Sequence, residues 1–138
     1  MTGADSIQSP AASRRVLLVD DRRDAVFPLQ MLLKLMKHEV VTAANGQQAL
    51  EVADDFRPDT VLCDISLGLG MNGYDVAKAM RERPHLADVY LVAVSGYDDV
   101  DDRRAAREAG FDFHVAKPVS KDLLDQLMGQ RPKFEGQM

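Results

Sequence analysis

Five short runs of β-branched and apolar residues, each followed by a longer segment with apolar residues three and four apart, leave this chain few folds to choose from. The runs are Val16 to Val19, Val40 to Ala43, Thr60 to Cys63, Val89 to Val94 and Phe113 to Ala116. The helical segments follow at 24–37, 47–56, 74–83, 100–109 and 121–128. Strands this apolar need cover on both faces, and strands that alternate with helices are parallel. The expectation is therefore an α/β fold: a doubly wound, five-stranded parallel sheet built as (βα)5. Such sheets carry their ligand site outside the carboxyl ends of the strands, where strand order reverses.

A chain of 138 residues suits one domain with one continuous core. Residues 1–13 are small, polar and proline-interrupted and read as a flexible N-terminal tail. Residues 14–130 form the expected domain, and Gly129 and Pro132 end the last helix and release a polar C-terminal tail, 131–138. In the first helix Leu29, Leu32, Leu33 and Met36 form the stripe that lies on the sheet. Pro28 confines the helix start, because deeper than the first turn it removes a hydrogen bond.

No apolar run is long enough to span a bilayer, and residues 1–15 lack the apolar stretch of a secretory signal. One cysteine, Cys63, excludes an intramolecular disulfide, so a reducing cytoplasm is the expected location and no membrane partner is expected. Seventeen Lys and Arg against 22 Asp and Glu give a net charge of −5, which argues against direct nucleic-acid binding.

The strand ends carry the chemistry. The first ends in Asp20-Asp21, the third in Asp64, the fourth in Ser95-Gly96 and the fifth in Lys117-Pro118. Taken singly, each is most simply a helix cap or turn. Together they put three carboxylates, a hydroxyl and an ammonium on one sheet edge. Such carboxylates repel unless a cation compensates, and Mg2+ is held by one or two carboxylates together with a phosphate. The constellation points to phosphoryl transfer.

The segments VLLVDD, TVLCD, VAVSGY and VAKPV, in this order and spacing, resemble the receiver domain of two-component response regulators over about residues 15–129. HEVVTAANGQQALEVADDFRPD and EAGFDFHVAKPV are similar to receivers associated with hybrid sensor histidine kinases. The resemblance implies a flavodoxin-like sheet of order 2-1-3-4-5. It implies that Asp64 is the phosphoacceptor, and that Asp21 directly, Asp20 through water and the backbone carbonyl of Ser66 hold Mg2+ together with Asp64. It implies too that Lys117 pairs with the phosphoryl oxygens, that Ser95 donates its hydroxyl to them, and that His114 takes the place of the switch aromatic. The family often has a cis peptide where Lys117-Pro118 stands. The implied partners are a sensor histidine kinase or phosphotransfer protein and an unidentified downstream protein, with a homodimer through the fourth helix, fifth strand and fifth helix as the self-assembly this permits.

The loop ISLGLGMNGY departs from the family pattern: Gly68 stands where proline is common, and Gly73 falls about one residue late. Greater backbone freedom there bears on the position of the Ser66 carbonyl and on the lifetime of the acyl phosphate, while Asp64 keeps its place in the pattern. Gly68-x-Gly70-x-x-Gly73 formally matches a dinucleotide fingerprint, but the acidic partner about 20 residues on is missing and Asp64 would repel a pyrophosphate, so it reads as a decoy. Cys63 reads as a small buried hydrophobe, and His38, His85 and His114 lack metal-ligand spacing. The acidic run Asp98, Asp99, Asp101 and Asp102 suits a helix N-terminus.

The expected function is a stand-alone receiver that signals by protein contact, since no output domain fits the remaining residues. It is a switch that assists its own phosphorylation and dephosphorylation rather than an enzyme. The alternatives are a phosphate sink or relay, a phosphorylation-independent pseudo-receiver scaffold, and a small nucleotide- or flavin-binding protein. The intact Asp21, Asp64, Ser95 and Lys117 set argues against the scaffold.

Overall fold

A computed structural model describes residues 13–68, 70–96 and 100–134. The tail read over residues 1–12, Asp98 and Asp99 of the acidic run, and residues 135–138 lie outside the described residues. The strands are β1 (Arg15–Val19), β2 (Glu39–Ala43), β3 (Thr60–Asp64), β4 (Tyr90–Ser95) and β5 (Phe113–Ala116). They form one parallel sheet of order β2-β1-β3-β4-β5. The helices are α1 (Arg23–Leu35), α2 (Gly46–Phe56), α3 (Gly73–Arg81), α4 (Val100–Ala109) and α5 (Lys121–Gly129).

The pleat explains the layers, since successive side chains of a strand face opposite ways. Leu17, Val19, Val61, Cys63, Leu91 and Ala93 face a core closed by α2, α3 and α4, whose Ala49, Ala53, Val76, Met80 and Ala106 are fully buried. Val16, Leu18, Leu62, Val92 and Val94 face a second core closed by α1 and α5 through Val26, Leu33, Leu124 and Leu127. At about 1.5–3 kcal/mol for each large apolar side chain, these two layers are what fixes the strand ends in space.

Three details differ from the sequence expectation. Pro28 lies in the second turn of α1 rather than the first. The helix continues through it because Val26 and Leu33 are buried and Leu29, Leu32 and Met36 pack on the sheet, so tertiary burial outweighs one missing backbone bond. A short 3₁₀ turn, Pro84–Leu86, joins α3 to β4 and buries Leu86 completely. Finally, residues 131–134 are docked rather than released: Arg131 bonds Thr60, and Phe134 packs against the core. Proline and polar neighbours hid the ring of Phe134 as an anchor.

The N-termini of α2, α3 and α5 lie at the carboxyl edge of the sheet and are capped by short polar side chains, whereas Arg22 ahead of α1 makes no side-chain cap. Asn45 accepts from Gln48 N–H at 2.8 Å, Asn72 from Asp75 N–H at 2.9 Å, and Ser120 from Leu123 N–H at 3.1 Å. Asp75 returns a bond from Asn72 N–H, completing a capping box that fixes the start of α3.

Candidate phosphoacceptor site

Parallel register brings the singled-out residues together. Asp64 pairs with Val94 and Ser95 with Ala116, while Lys117 N–H donates to the Ser95 carbonyl at 2.8 Å and Asp20 N–H to the Ala43 carbonyl at 3.1 Å. Each functional side chain thus leaves the sheet at the same edge. Lys117-Pro118 is cis.

Asp64 is only 4 % exposed. Its Oδ1 accepts from Ser66 N–H at 3.1 Å, and its Oδ2 lies 3.4 Å from Lys117 Nζ. The same Nζ lies 3.3 Å from Asp20 Oδ2, and Asp20 Oδ1 accepts from Arg22 N–H at 3.0 Å. One ammonium therefore serves two carboxylates while the exposed Asp21 stands beside them. Burial, and then the charge of Asp20, push the Asp64 carboxyl above its usual range, against the opposing pull of Lys117 and Ser66 N–H.

The donor set fits a hard divalent cation. Oxygens of Asp20, Asp21 and Asp64 lie within 4.8 Å of one another, all three ligands are carboxylate oxygens, and one lysine leaves the cluster short of positive charge. Beside it a cleft of about 290 Å³ opens between Ala25, Pro28 and Leu29 of α1 and Pro118 and Val119 after β5.

Ser95 and His114 are both buried, and Ser95 Oγ shares a 3.0 Å hydrogen bond with His114 Nε2. Sequence placed both at the switch but gave no sign that they bond, because they are 19 residues apart and meet only through β4–β5 pairing. Ser66 touches the site through its N–H.

The glycines of the loop after β3 have a structural explanation. A Cβ on Gly73 would stand 2.6 Å from the Asp64 carbonyl oxygen, so only glycine lets α3 begin this close to the end of β3. A Cβ on Gly68 would stand 3.0 Å from Asp21 Oδ2, inside the space the carboxylate cluster uses. Cys63 is buried, and burial followed by the Asp64 charge pushes its thiol pKa upward, as expected of an inert packing residue.

A family model for the response regulator receiver domain matches residues 16–128. The chain belongs to the response regulator receiver family. It is 40 % identical over 106 residues to the transcriptional regulatory protein PrrA of Mycobacterium tuberculosis, covering 77 % of this chain and 44 % of that protein. The chain thus spans less than half the length of that curated relative. Among solved structures it is similar to the chemotaxis response regulator CheY4 of Vibrio cholerae, with TM-score 0.79, 26 % identity, 87 % of this chain and 98 % of that one. It is also similar to the receiver domain of the sensor histidine kinase PA1611 from Pseudomonas aeruginosa, which has a magnesium ion coordinated in its active site cleft, with TM-score 0.78, 27 % identity, 87 % of this chain and 97 % of that one. The receiver fold is a signalling switch. Among the described residues, no helix is long and apolar enough to cross a membrane.

Proposed function

We propose that Asp64 accepts a phosphoryl group from a phosphohistidine of a sensor histidine kinase or phosphotransfer protein, and that this receiver then presents an altered surface to a downstream protein. The N–P bond of the donor breaks, an O–P bond to the Asp64 carboxylate forms, and the imidazole leaves with the electron pair. The observation that carries this reading is a buried carboxylate at the sheet edge, 3.4 Å from a lysine and clustered with two further acids. Asp21, with Asp20 and the Ser66 carbonyl, would hold Mg2+ beside Asp64. When bound, that ion supplies neutralisation of phosphoryl charge.

The chain's own groups do the rest. Ser66 N–H and Lys117 Nζ hold the Asp64 oxygens, orienting one toward an incoming phosphorus, which is most of what a loose phosphoryl-transfer transition state requires. The same positioning serves an attacking water, so the domain assists both gain and loss of the group. Phe27, Met31 and Leu35 form an exposed apolar stripe along α1, and Phe27 shares a cleft with Asp20 and Asp24, which suits a donor protein docking beside the site. After transfer, about −1.5 to −2 of added charge gives Ser95 and Lys117 partners that exist in one state alone. Ser95 exchanges His114 for a phosphoryl oxygen, and the change passes to α4, β5 and α5. A cytoplasmic location accompanies this reading.

Incubation with acetyl phosphate and Mg2+, followed by mass spectrometry of the intact protein, is the test. The expected result is one added phosphoryl mass, lost in Asp64→Asn. No addition, or addition that persists in Asp64→Asn, overturns the proposal.

A further inference from the structure

After α5 the chain turns back at Arg131, whose φ is +53°, and crosses the edge of the sheet opposite the acidic cluster. The Arg131 guanidinium lies 4.4 Å above the Tyr90 ring and donates to Thr60 Oγ1 at 2.8 Å and to the Asp59 carbonyl at 3.2 Å. The Tyr90 hydroxyl donates to the Pro132 carbonyl. Phe134 N–H donates to the Asp112 carbonyl at 2.8 Å, its ring meets Phe113 at 6.1 Å and 50°, and the Arg107 guanidinium lies 5.9 Å from it. Phe134 packs with the core on one face of the sheet while Phe113 belongs to the core on the other, so the segment joins both layers.

We propose that residues 131–134 are a strap that clamps the start of β5 and the last turn of α4, holding the switch where Ser95 is bonded to His114. β5 has four residues and acts as a short lever. Phe113 is gripped by Phe134, His114 follows it and bonds Ser95, and Lys117 leaves the far end toward Asp64. Packed side chains transmit such a constraint because the interior has few voids to absorb it. The inference rests on the proposed phosphoacceptor role of Asp64, in which Ser95 must leave His114.

The test compares the full chain with Phe134→Ala and Phe134→Leu, by hydrogen exchange without a phosphodonor and by titration with beryllium fluoride and Mg2+, a phosphoryl mimic. In Phe134→Ala the amides of β5 and of the last turn of α4 should exchange roughly 10-fold faster while β1 and β2 are unchanged, since local openings are separable from global unfolding. Its apparent affinity for beryllium fluoride should rise about 5-fold or more, within the usual span of coupling between sites. Phe134→Leu should restore most of both. Uniformly faster exchange, or equal affinities, overturns the strap. If no variant binds beryllium fluoride, the phosphoacceptor reading falls, and exchange confined to β5 and α4 or spread over the chain still decides whether the clamp exists.

Discussion

The two edges of the sheet are built on opposite electrostatic plans. At the carboxyl edge three carboxylates crowd together with Lys117 paired to two of them, and Asp64 is buried with its proton affinity raised. At the amino edge guanidinium groups meet carbonyls: Arg14 donates to Met128 O, Arg15 to Phe56 O, and Arg81 to Gly110, Ala87 and Val89. Met128 and Phe56 lie in last helical turns, whose carbonyls lack intrahelical partners, so arginine completes what the helices leave open. One edge is satisfied by its hydrogen bonds; the other holds carboxylate repulsion that a bound cation would relieve. Under the proposed function, the molecule draws its stability from one and its response from the other.

The largest test of that contrast is Arg81→Met. It removes bonds to three carbonyls and leaves the partly buried Asp112 without its guanidinium partner, although Leu91 N–H still donates to the same oxygen, so unfolding in urea should show a loss of about 3 kcal/mol. A loss under about 1 kcal/mol would mean that the amino edge is not the stabilising one. Next is Lys117→Ala. Without the ammonium, Asp20 and Asp64 face each other, and stability in magnesium-free buffer should fall by about 1–2 kcal/mol, discounted for the partial exposure of the lysine. Mg2+ should still bind, seen by calorimetry, but phosphorylation should no longer shift the NMR signals of α4. Unaltered shifts would contradict the role given to Lys117.

Asp64→Asn should act in the opposite sense. It removes one of the repelling charges, so in magnesium-free buffer the variant should be more stable than the parent by about 1 kcal/mol, as for many functional residues. Added Mg2+ should narrow the gap by stabilising the parent. Destabilisation in magnesium-free buffer would show that the carboxylate cluster carries no strain. The smallest effect is expected at the amino edge, where His38 Nδ1 accepts from Arg14 N–H at 2.9 Å and must stay neutral. Burial, and then Arg14, lower its pKa below 6.5. The unfolded chain therefore binds a proton there first, and stability present above pH 6.5 is lost as the pH falls toward the lowered folded value. Melting temperature followed downward from pH 6.5 should decline less steeply in His38→Gln, a difference of under about 1 kcal/mol. Parallel curves would remove His38 from the pH response.

The legibility of these edges in the sequence was unequal. Strand cores and the acid, hydroxyl and lysine at strand ends are local signals, since a β-branched run followed by a polar residue marks both the element and its edge. β3 and β5 lie where their residues placed them, apart from Asp64 closing β3. The amino edge was opaque because arginine bonds to carbonyls depend on packing between distant segments, as with Arg131 and Thr60, 71 residues apart. The Ser95–His114 bond was hidden for the same reason. Pro28 misled because a rule about one backbone bond was applied without the weight of the buried face beneath it.

Cys63 sits one residue before Asp64, sealed in the middle strand, and is the chain's single thiol. In the folded state it is shielded from thiol reagents, so any labelling must wait for β3 to open. The protein thereby carries its own stopwatch. The rate at which Cys63 is modified, followed with and without Mg2+ or a phosphodonor, reports how often the strand bearing Asp64 comes apart, with no foreign probe introduced.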